Sequence, residues 1–199
     1  PNLNKYEKNS KAVNIIISKS GNTLETIVNS NLLLKKNKNI FITENKKNYL
    51  HTLAEKFKSE IIHHNNFIGG RYSVLSEVGM LPAELMGLKA SNFRQLNNLI
   101  KNKKFVNSLV LNVSNILDLY NKGRFASIIL NYDESSDNFF KWYQQLIAES
   151  LGKKSKGIFP FISTMPKDNH SLMQLYLDGF KNNFYTFYFV KEKSSKKIN

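Results

Sequence analysis

Ala12-Val-Asn-Ile-Ile-Ile17-Ser-Lys-Ser-Gly21-Asn-Thr-Leu-Glu-Thr26 opens the ordered pattern of this chain, and its reading decides the fold. Ala12–Ile17 is short, β-branched and apolar, as a buried strand is, and it runs into a polar turn containing Gly21. From Thr23 the spacing changes. Leu24, Ile27, Val28, Leu32 and Leu34 recur near 3.6 residues, with Thr23 as cap or first-turn residue. Glu25 and Glu44 are both expected near helix starts. Strand, turn and helix in this order form the opening half of a βαβ unit.

The same alternation continues outward. Ile40–Thr43 reads as a strand, Tyr49–Phe57 as a helix and Glu60–His63 as a third short strand. After Asn65-Asn66 comes the Gly69-Gly70 turn, then a helix from Leu75 to Met86 interrupted by Pro82. Helices over Asn92–Ile100 and Val106–Tyr120, a strand at Arg124–Leu130 and a helix at Phe139–Leu151 follow. Gly157–Phe161 reads as extended, Ser171–Leu177 as helical and Phe184–Val190 as an aromatic strand. Strands alternating with helices predict an α/β fold of parallel sheets covered by helices. The bend near residue 66 reads as the seam between two partial units, 1–66 and 67–199, the first of them short by several strands.

Composition narrows the function classes. With 199 residues and 41% hydrophobic content the chain can bury a core without disulfides or a metal staple. The absence of Cys excludes thiol catalysis, cysteine-type zinc sites and a disulfide scaffold. No apolar run reaches the ~18–20 residues of a membrane span. The start, Pro1-Asn-Leu-Asn-Lys, has neither an apolar leader nor an Arg-rich presequence, so a cytoplasmic location is expected. The net charge of +14 suits nucleic acid and an anionic small molecule equally well. Lysines and asparagines are scattered from end to end, and the basic tail (Lys191, Lys193, Lys196, Lys197) reads as a solvated end.

Four segments carry candidate chemistry. Ser18-Lys19-Ser20-Gly21-Asn22-Thr23 joins a strand to a helix. Helix N-termini offer unpaired N–H groups and partial positive charge, to which Ser18, Ser20 and Thr23 add hydroxyls and Lys19 a cation. The spacing is not that of a nucleotide P-loop, and an ordinary helix-capping turn would look the same. Ile68-Gly69-Gly70-Arg71-Tyr72-Ser73 offers an arginine fork beside glycines that admit close approach, or else a loop pair beside a surface arginine. Glu149, ending an amphipathic helix, and His170, in Asp168-Asn169-His170-Ser171, are candidates for an acid–base pair; a solvated Glu and a structural His are the plainer alternative. His51, His63 and His64 lack partners at metal-ligand spacing.

Taken together, these segments resemble the phosphoglucose isomerase family. Ser18–Thr26 resembles its sugar-isomerase (SIS) phosphate loop, and Gly69-Gly70-Arg71-Tyr72-Ser73 through Ser76 resembles its Gly-Gly-Arg-aromatic-Ser signature. Glu149-Ser150-Leu151-Gly152-Lys153, Lys156-Gly157-Ile158-Phe159-Pro160, and Asp168-Asn169-His170-Ser171 through Gln174 resemble its catalytic region. The resemblance implies an SIS-type, flavodoxin-like three-layer sandwich and interconversion of glucose 6-phosphate and fructose 6-phosphate through an enediolate. It further implies that Ser18, Lys19, Ser20 and Thr23 hold the phosphate, and that Arg71, with backbone of Gly70, stabilises the oxyanion. In the same way, Glu149 is implied to carry a proton between C2 and C1, and His170 to assist ring opening with Glu25 orienting it. The family's histidine comes from the partner subunit, which implies a homodimer, and no metal or organic cofactor is implied. The family is also longer. A Gly-Ser-rich loop upstream and a Gly-Val-Glu-x-x-Lys-like segment downstream are expected beyond this chain, so residues 1–199 alone are expected to be inactive or nearly so. Alternatives are a dual glucose/mannose-phosphate isomerase, a non-catalytic SIS sugar-phosphate sensor and, on charge alone, a nucleic-acid binder that no motif supports.

Overall fold

The computed structural model describes residues 12–34 and 39–191. Lys193, Lys196 and Lys197 of the basic tail lie outside the described residues, and Lys191 is exposed. The chain divides into two compact units, Pro1–Leu96 and Asn97–Asn199. Both are built on parallel three-stranded sheets with helices around them, the α/β three-layer arrangement.

The first sheet has the order β1-β2-β3, formed by Asn14–Ile17, Asn39–Glu44 and Glu60–His64, all parallel. Helix α1 (Leu24–Leu33) and helix α2 (Tyr49–Lys56) supply the crossovers. Ile27 of α1 and Leu50, Leu53 and Ala54 of α2 all pack against Ile16 and Phe41, so both helices cover one face. That is the expected result for consecutive right-handed crossovers between neighbouring parallel strands. Glu44, expected near a helix start, instead ends β2, and Asn48 caps α2 by accepting the His51 amide at 2.9 Å.

After β3 the chain folds back on its own strand. A short 3-10 helix, Gly70–Leu75, leads into α3 (Glu77–Leu85). The boundary between compact units therefore falls at residues 96 and 97, well beyond the bend near residue 66. Pro82 lies inside α3 without ending it. Gly79 lets α3 approach the 3-10 helix: a Cβ at that position would stand 2.0 Å from the Val74 carbonyl oxygen. The helix expected over Asn92–Ile100 is broken into α4 (Ala90–Phe93), a 3-10 turn (Arg94–Leu96) and α5 (Asn97–Lys101). Ser91, Asn92, Asn97 and Asn98 crowd this stretch, and such residues compete with the helix for backbone hydrogen bonds.

The second unit opens with α5, followed by α6 (Lys103–Asn121). Its sheet has the order β5-β4-β6, formed by Phe159–Thr164, Ala126–Asn131 and Asn183–Tyr188, again all parallel. Central β4 is buried from Ser127 to Asn131. Helix α8 (Lys167–Asp178) places Tyr176, Leu172 and Met173 against Ile128 and Leu130. On α7 (Asp137–Leu151), Phe140 meets Tyr188 edge-on, with ring centroids 4.8 Å apart. Among the described residues no helix is long and apolar enough to cross a membrane.

Candidate active site

In a parallel sheet every strand ends at the same edge, and loops leaving that edge are the natural ligand site. In the first unit those loops follow Ile17, Glu44 and His64. The loop after β1 winds tightly. Gly21 donates to the Ser18 carbonyl at 3.1 Å and to its Oγ at 3.2 Å, and Ser18 Oγ shares a hydrogen with Thr23 Oγ1 at 2.8 Å. Thr23 makes no side-chain cap bond to α1. Its hydroxyl is turned to Ser18, so it leaves to other acceptors the first-turn N–H groups, which have no partner within the helix. Ser18 is buried, Lys19 half-buried, and Ser20 and Thr23 exposed.

The loop after β2 grips the first. Gly21 has φ +65°, and a Cβ there would stand 2.0 Å from Asn48 Oδ1. Asn48 donates to Thr43 Oγ1 at 3.0 Å and to the Lys46 carbonyl at 2.9 Å. Thr43 Oγ1 and the Glu44 amide both donate to the Lys19 carbonyl, at 3.1 and 3.0 Å. Asn22 Oδ1 accepts the Tyr49 amide at 3.1 Å, and the Gly21 carbonyl accepts that of Leu50 at 3.1 Å. The loop after β1 is thus preformed by its neighbour. Sequence reasoning does not find Asn22, Thr43 or Asn48. Asn48 is readable as a helix cap, but its reach to Gly21 is not, because it bridges two loops.

The loop after β3 carries Arg71. Lys19 Nζ crosses to it and donates to the Asn66 carbonyl at 2.9 Å. Arg71 is half-buried, with its guanidinium carbon 5.7 Å from the centroid of the Tyr72 ring. Ser73 Oγ donates to the Gly70 carbonyl at 2.6 Å and Ser76 Oγ to the Ser73 carbonyl at 2.7 Å, fixing the turn from within. At the end of β3, buried His64 meets the Glu77 carboxylate and the Ile68 carbonyl. Burial opposes the Glu77 charge. Hydrogen bonds from its own amide, from His64 and from the Asn65 amide outweigh that and hold its carboxyl below the ordinary value. Ser18, Lys19, Ser20, Thr23, Gly70 and Arg71 therefore share one sheet edge, and Glu25 lies exposed in the first turn of α1.

The second unit holds the other two residues. Glu149 stands near the end of α7, exposed and accepting from Gln145 Nε2 at 3.3 Å. A cleft of about 630 Å³ lies at this end of α7, lined by Ala148, Gly152, Lys156, Gly157, Ile158 and Pro160 among others but not by Glu149. Positive φ at Lys154 and Ser155 (52° and 58°) folds the chain sharply between α7 and β5. His170 is exposed in the first turns of α8, beyond the far end of β5. Asp168 ties that helix start to the strand, accepting from the Thr164 amide at 2.8 Å and Ser163 Oγ at 3.1 Å. Glu149 and His170 therefore lie at opposite edges of the second sheet, separated by the six-residue length of β5, on the order of 20 Å.

His51 stacks on His63, with centroids 6.1 Å apart. Among the described residues no group of three or more His, Cys, Asp or Glu is arranged to hold a metal ion.

Comparison with known proteins identifies the family. The model of the phosphoglucose isomerase family matches residues 2–165. Glucose-6-phosphate isomerase of Methanocaldococcus jannaschii is 39% identical over 203 residues, covering 96% of this chain and 50% of that protein. The Bacillus cytotoxicus enzyme of the same name is 33% identical, over 86% of this chain and 42% of its own length. Among solved structures, a hypothetical protein of Thermus thermophilus superposes with a TM-score of 0.75 at 26% identity, over 93% of this chain and 49% of that one. A Chlamydia trachomatis glucose-6-phosphate isomerase shares the fold at a TM-score of 0.66 and 20% identity, over 88% of this chain and 38% of that one. The chain spans about half the length of the curated relatives it matches. By the family match and the loops that carry its motifs, this chain belongs to the phosphoglucose isomerase family.

Proposed function

We propose that this chain provides part of the active site of a cytoplasmic aldose–ketose isomerase that interconverts glucose 6-phosphate and fructose 6-phosphate. The observation that carries the reading is the Lys19–Asn66 bond, 2.9 Å, which joins the anion-binding loop to the Arg71 turn on one sheet edge. A phosphate held by Ser18, Lys19, Ser20, Thr23 and the first-turn amides of α1 would anchor the remote end of the sugar. Its binding energy then orients the reacting end. Arg71, with the Gly70 backbone beside it, opposes the negative charge that grows on the enediolate oxygen; such donors are typically worth ~2.7–4 kcal/mol of barrier. Glu149 takes the C2 proton and returns it to C1, while His170, oriented by Glu25, moves the ring-oxygen proton.

The separation of Glu149 and His170 by the length of β5 favours a site assembled from two subunits. We therefore assign a homodimer in which His170 serves the partner's Glu149. We assign residues 1–66 to the end of a first sugar-isomerase domain, and 67–199 to the inter-domain turn and most of a second. No step calls for a metal or organic cofactor, nor for a nucleic-acid or membrane partner.

The test is titration of fructose 6-phosphate into residues 1–199, followed by amide NMR. The amides of Leu24, Glu25 and Thr26 are expected to shift, and inorganic phosphate is expected to shift the same set more weakly. No movement up to ~10 mM, far above ordinary substrate constants, would sink the reading. Isolated residues 1–199 are expected to show little turnover. Rates near those of an ordinary isomerase would overturn that expectation, and loss of them in Glu149→Gln would assign the base. In the complete protein, turnover unchanged in Glu149→Gln would refute the role given to Glu149.

A further inference from the structure

We propose that His64 and Glu77 form a positioning pair that sets the backbone at Ile68–Gly69 and so aims the Gly70–Arg71 turn. The proposal rests on the isomerase reading only for the work it gives Arg71; the pair itself follows from hydrogen-bond accounting.

The His64 side chain is fully buried at the last residue of β3. Its Nε2 lies 3.1 Å from the Ile68 carbonyl oxygen, which only accepts, so Nε2 carries a hydrogen. Its Nδ1 faces Glu77 Oε1, and a bare imidazole nitrogen against a bare carboxylate would set two lone pairs against each other. A second hydrogen therefore lies between Nδ1 and Oε1. The pair holds two hydrogens and is electrically neutral as a unit, which is the form in which a buried ionisable couple is tolerated. Glu77 Oε1 also accepts the Asn65 amide at 3.2 Å, and the Asn65 carbonyl accepts the Ile68 amide at 3.1 Å.

The loop from Asn65 to Gly69 is thus pinned at both ends by one pair, while Lys19 holds its middle at Asn66. The peptide whose carbonyl His64 holds ends at Gly69, two residues before Arg71. Ser73 and Ser76 fix the turn from within, but its entry at Ile68–Gly69 passes through a glycine that resists little, so without the His64 bond that entry is freer in φ and ψ. The residue types fit positioning rather than packing. An apolar pair would fill the same volume at similar stability but would leave the Ile68 carbonyl unheld.

That difference supplies the experiment, done on residues 1–199 by amide hydrogen exchange and NMR. The double variant His64→Phe/Glu77→Leu exchanges the pair for apolar bulk. It is expected to keep the fold, yet to move the Gly69, Gly70 and Arg71 amide resonances. It should also speed exchange at Tyr72 by about tenfold, the loss of roughly one net hydrogen bond. Glu77→Gln is the conservative rescue: its amide donates to Nδ1 and Nε2 keeps the Ile68 bond, while the Asn65 amide loses its Oε1 acceptor, so the resonances of 69–71 should stay near wild type and that of Asn65 should shift. A folded double variant whose turn is unmoved, or a Glu77→Gln variant as disturbed as the double one, overturns the proposal. If the double variant does not fold, the His64 ring decides. Protected hydrogens at both Nε2 and Nδ1 support the pair, and a bare Nε2 refutes it. Failure of fructose 6-phosphate to bind would count against the isomerase reading and leave these readouts intact.

Discussion

Replacing Gly21 by alanine strikes the loop after β1, proposed to bind the phosphate, where two loops meet. The backbone there has φ +65°, and the added Cβ would lie 2.0 Å from Asn48 Oδ1. A non-glycine residue in the left-handed region costs about 1–2 kcal/mol by itself. Asn48 must also move, which threatens its cap on the His51 amide, about 1 kcal/mol. Its bonds to Thr43 Oγ1 and the Lys46 carbonyl are at risk as well, about 1 kcal/mol each. The sum is roughly 4–5 kcal/mol before relaxation, enough to raise local opening at least a hundredfold. The sole tryptophan, Trp142, lies in the second unit, so its fluorescence does not report on this loop. Hydrogen exchange does. Amides of residues 41–54 should exchange at least a hundred times faster in Gly21→Ala, with those of 126–131 unchanged. In an Asn48→Ala background the same substitution should cost only the left-handed term, about 1–2 kcal/mol. Exchange within about threefold of wild type in the single variant, or an equal cost in both backgrounds, would refute the reasoning.

Gly79→Ala should force α3 away from the Val74 carbonyl, destabilising the first unit by about 1–3 kcal/mol as other overpacked sites do; unaltered exchange over 70–85 would contradict that close approach. Asp168→Ala removes two hydrogen bonds at the start of α8 and a favourable charge at a helix N-terminus. It should cost about 1–2 kcal/mol in urea unfolding followed by Trp142, and a loss below ~0.5 kcal/mol would mean that Asp168 ties down little. Glu77 has its carboxyl held below the ordinary 4.5, so its stabilising contribution is complete above that value and is lost as pH falls through the lower folded-state value. Exchange in the first unit should therefore show wild type losing stability relative to Glu77→Gln as pH falls below about 4.5. Parallel pH profiles of the two proteins would remove Glu77 from the account.

Much of the fold is legible because the signals are local. Ile15–Ile17 and Ile40–Ile42 are short β-branched runs, and the apolar spacing after Thr23 and along Lys103–Asn121 has helical period. The departures are equally physical. Pro82 sits within α3, and Glu44 ends a strand because its amide is claimed by the Lys19 carbonyl of a neighbouring loop. Asn92–Ile100 breaks up because its polar side chains oppose one continuous helix. The motif residues can be named in order, since each motif is contiguous, but Asn48, Thr43, His64 and Glu77 act on segments distant in sequence and bear no local mark.

The sequence by itself determined most element types, the parallel α/β class and where the four candidate segments lie, because periodicity, turn residues and motif spacing act over a few neighbouring residues. Only the tertiary structure decided that Lys19 reaches Asn66, that Asn48 closes on Gly21 and that His64 pairs with Glu77. It also decided that Glu149 and His170 stand at opposite ends of β5. Those relations depend on strand register and on which sheet edge each loop leaves. Both are set when the chain buries its apolar faces together, and no short window of residues carries them.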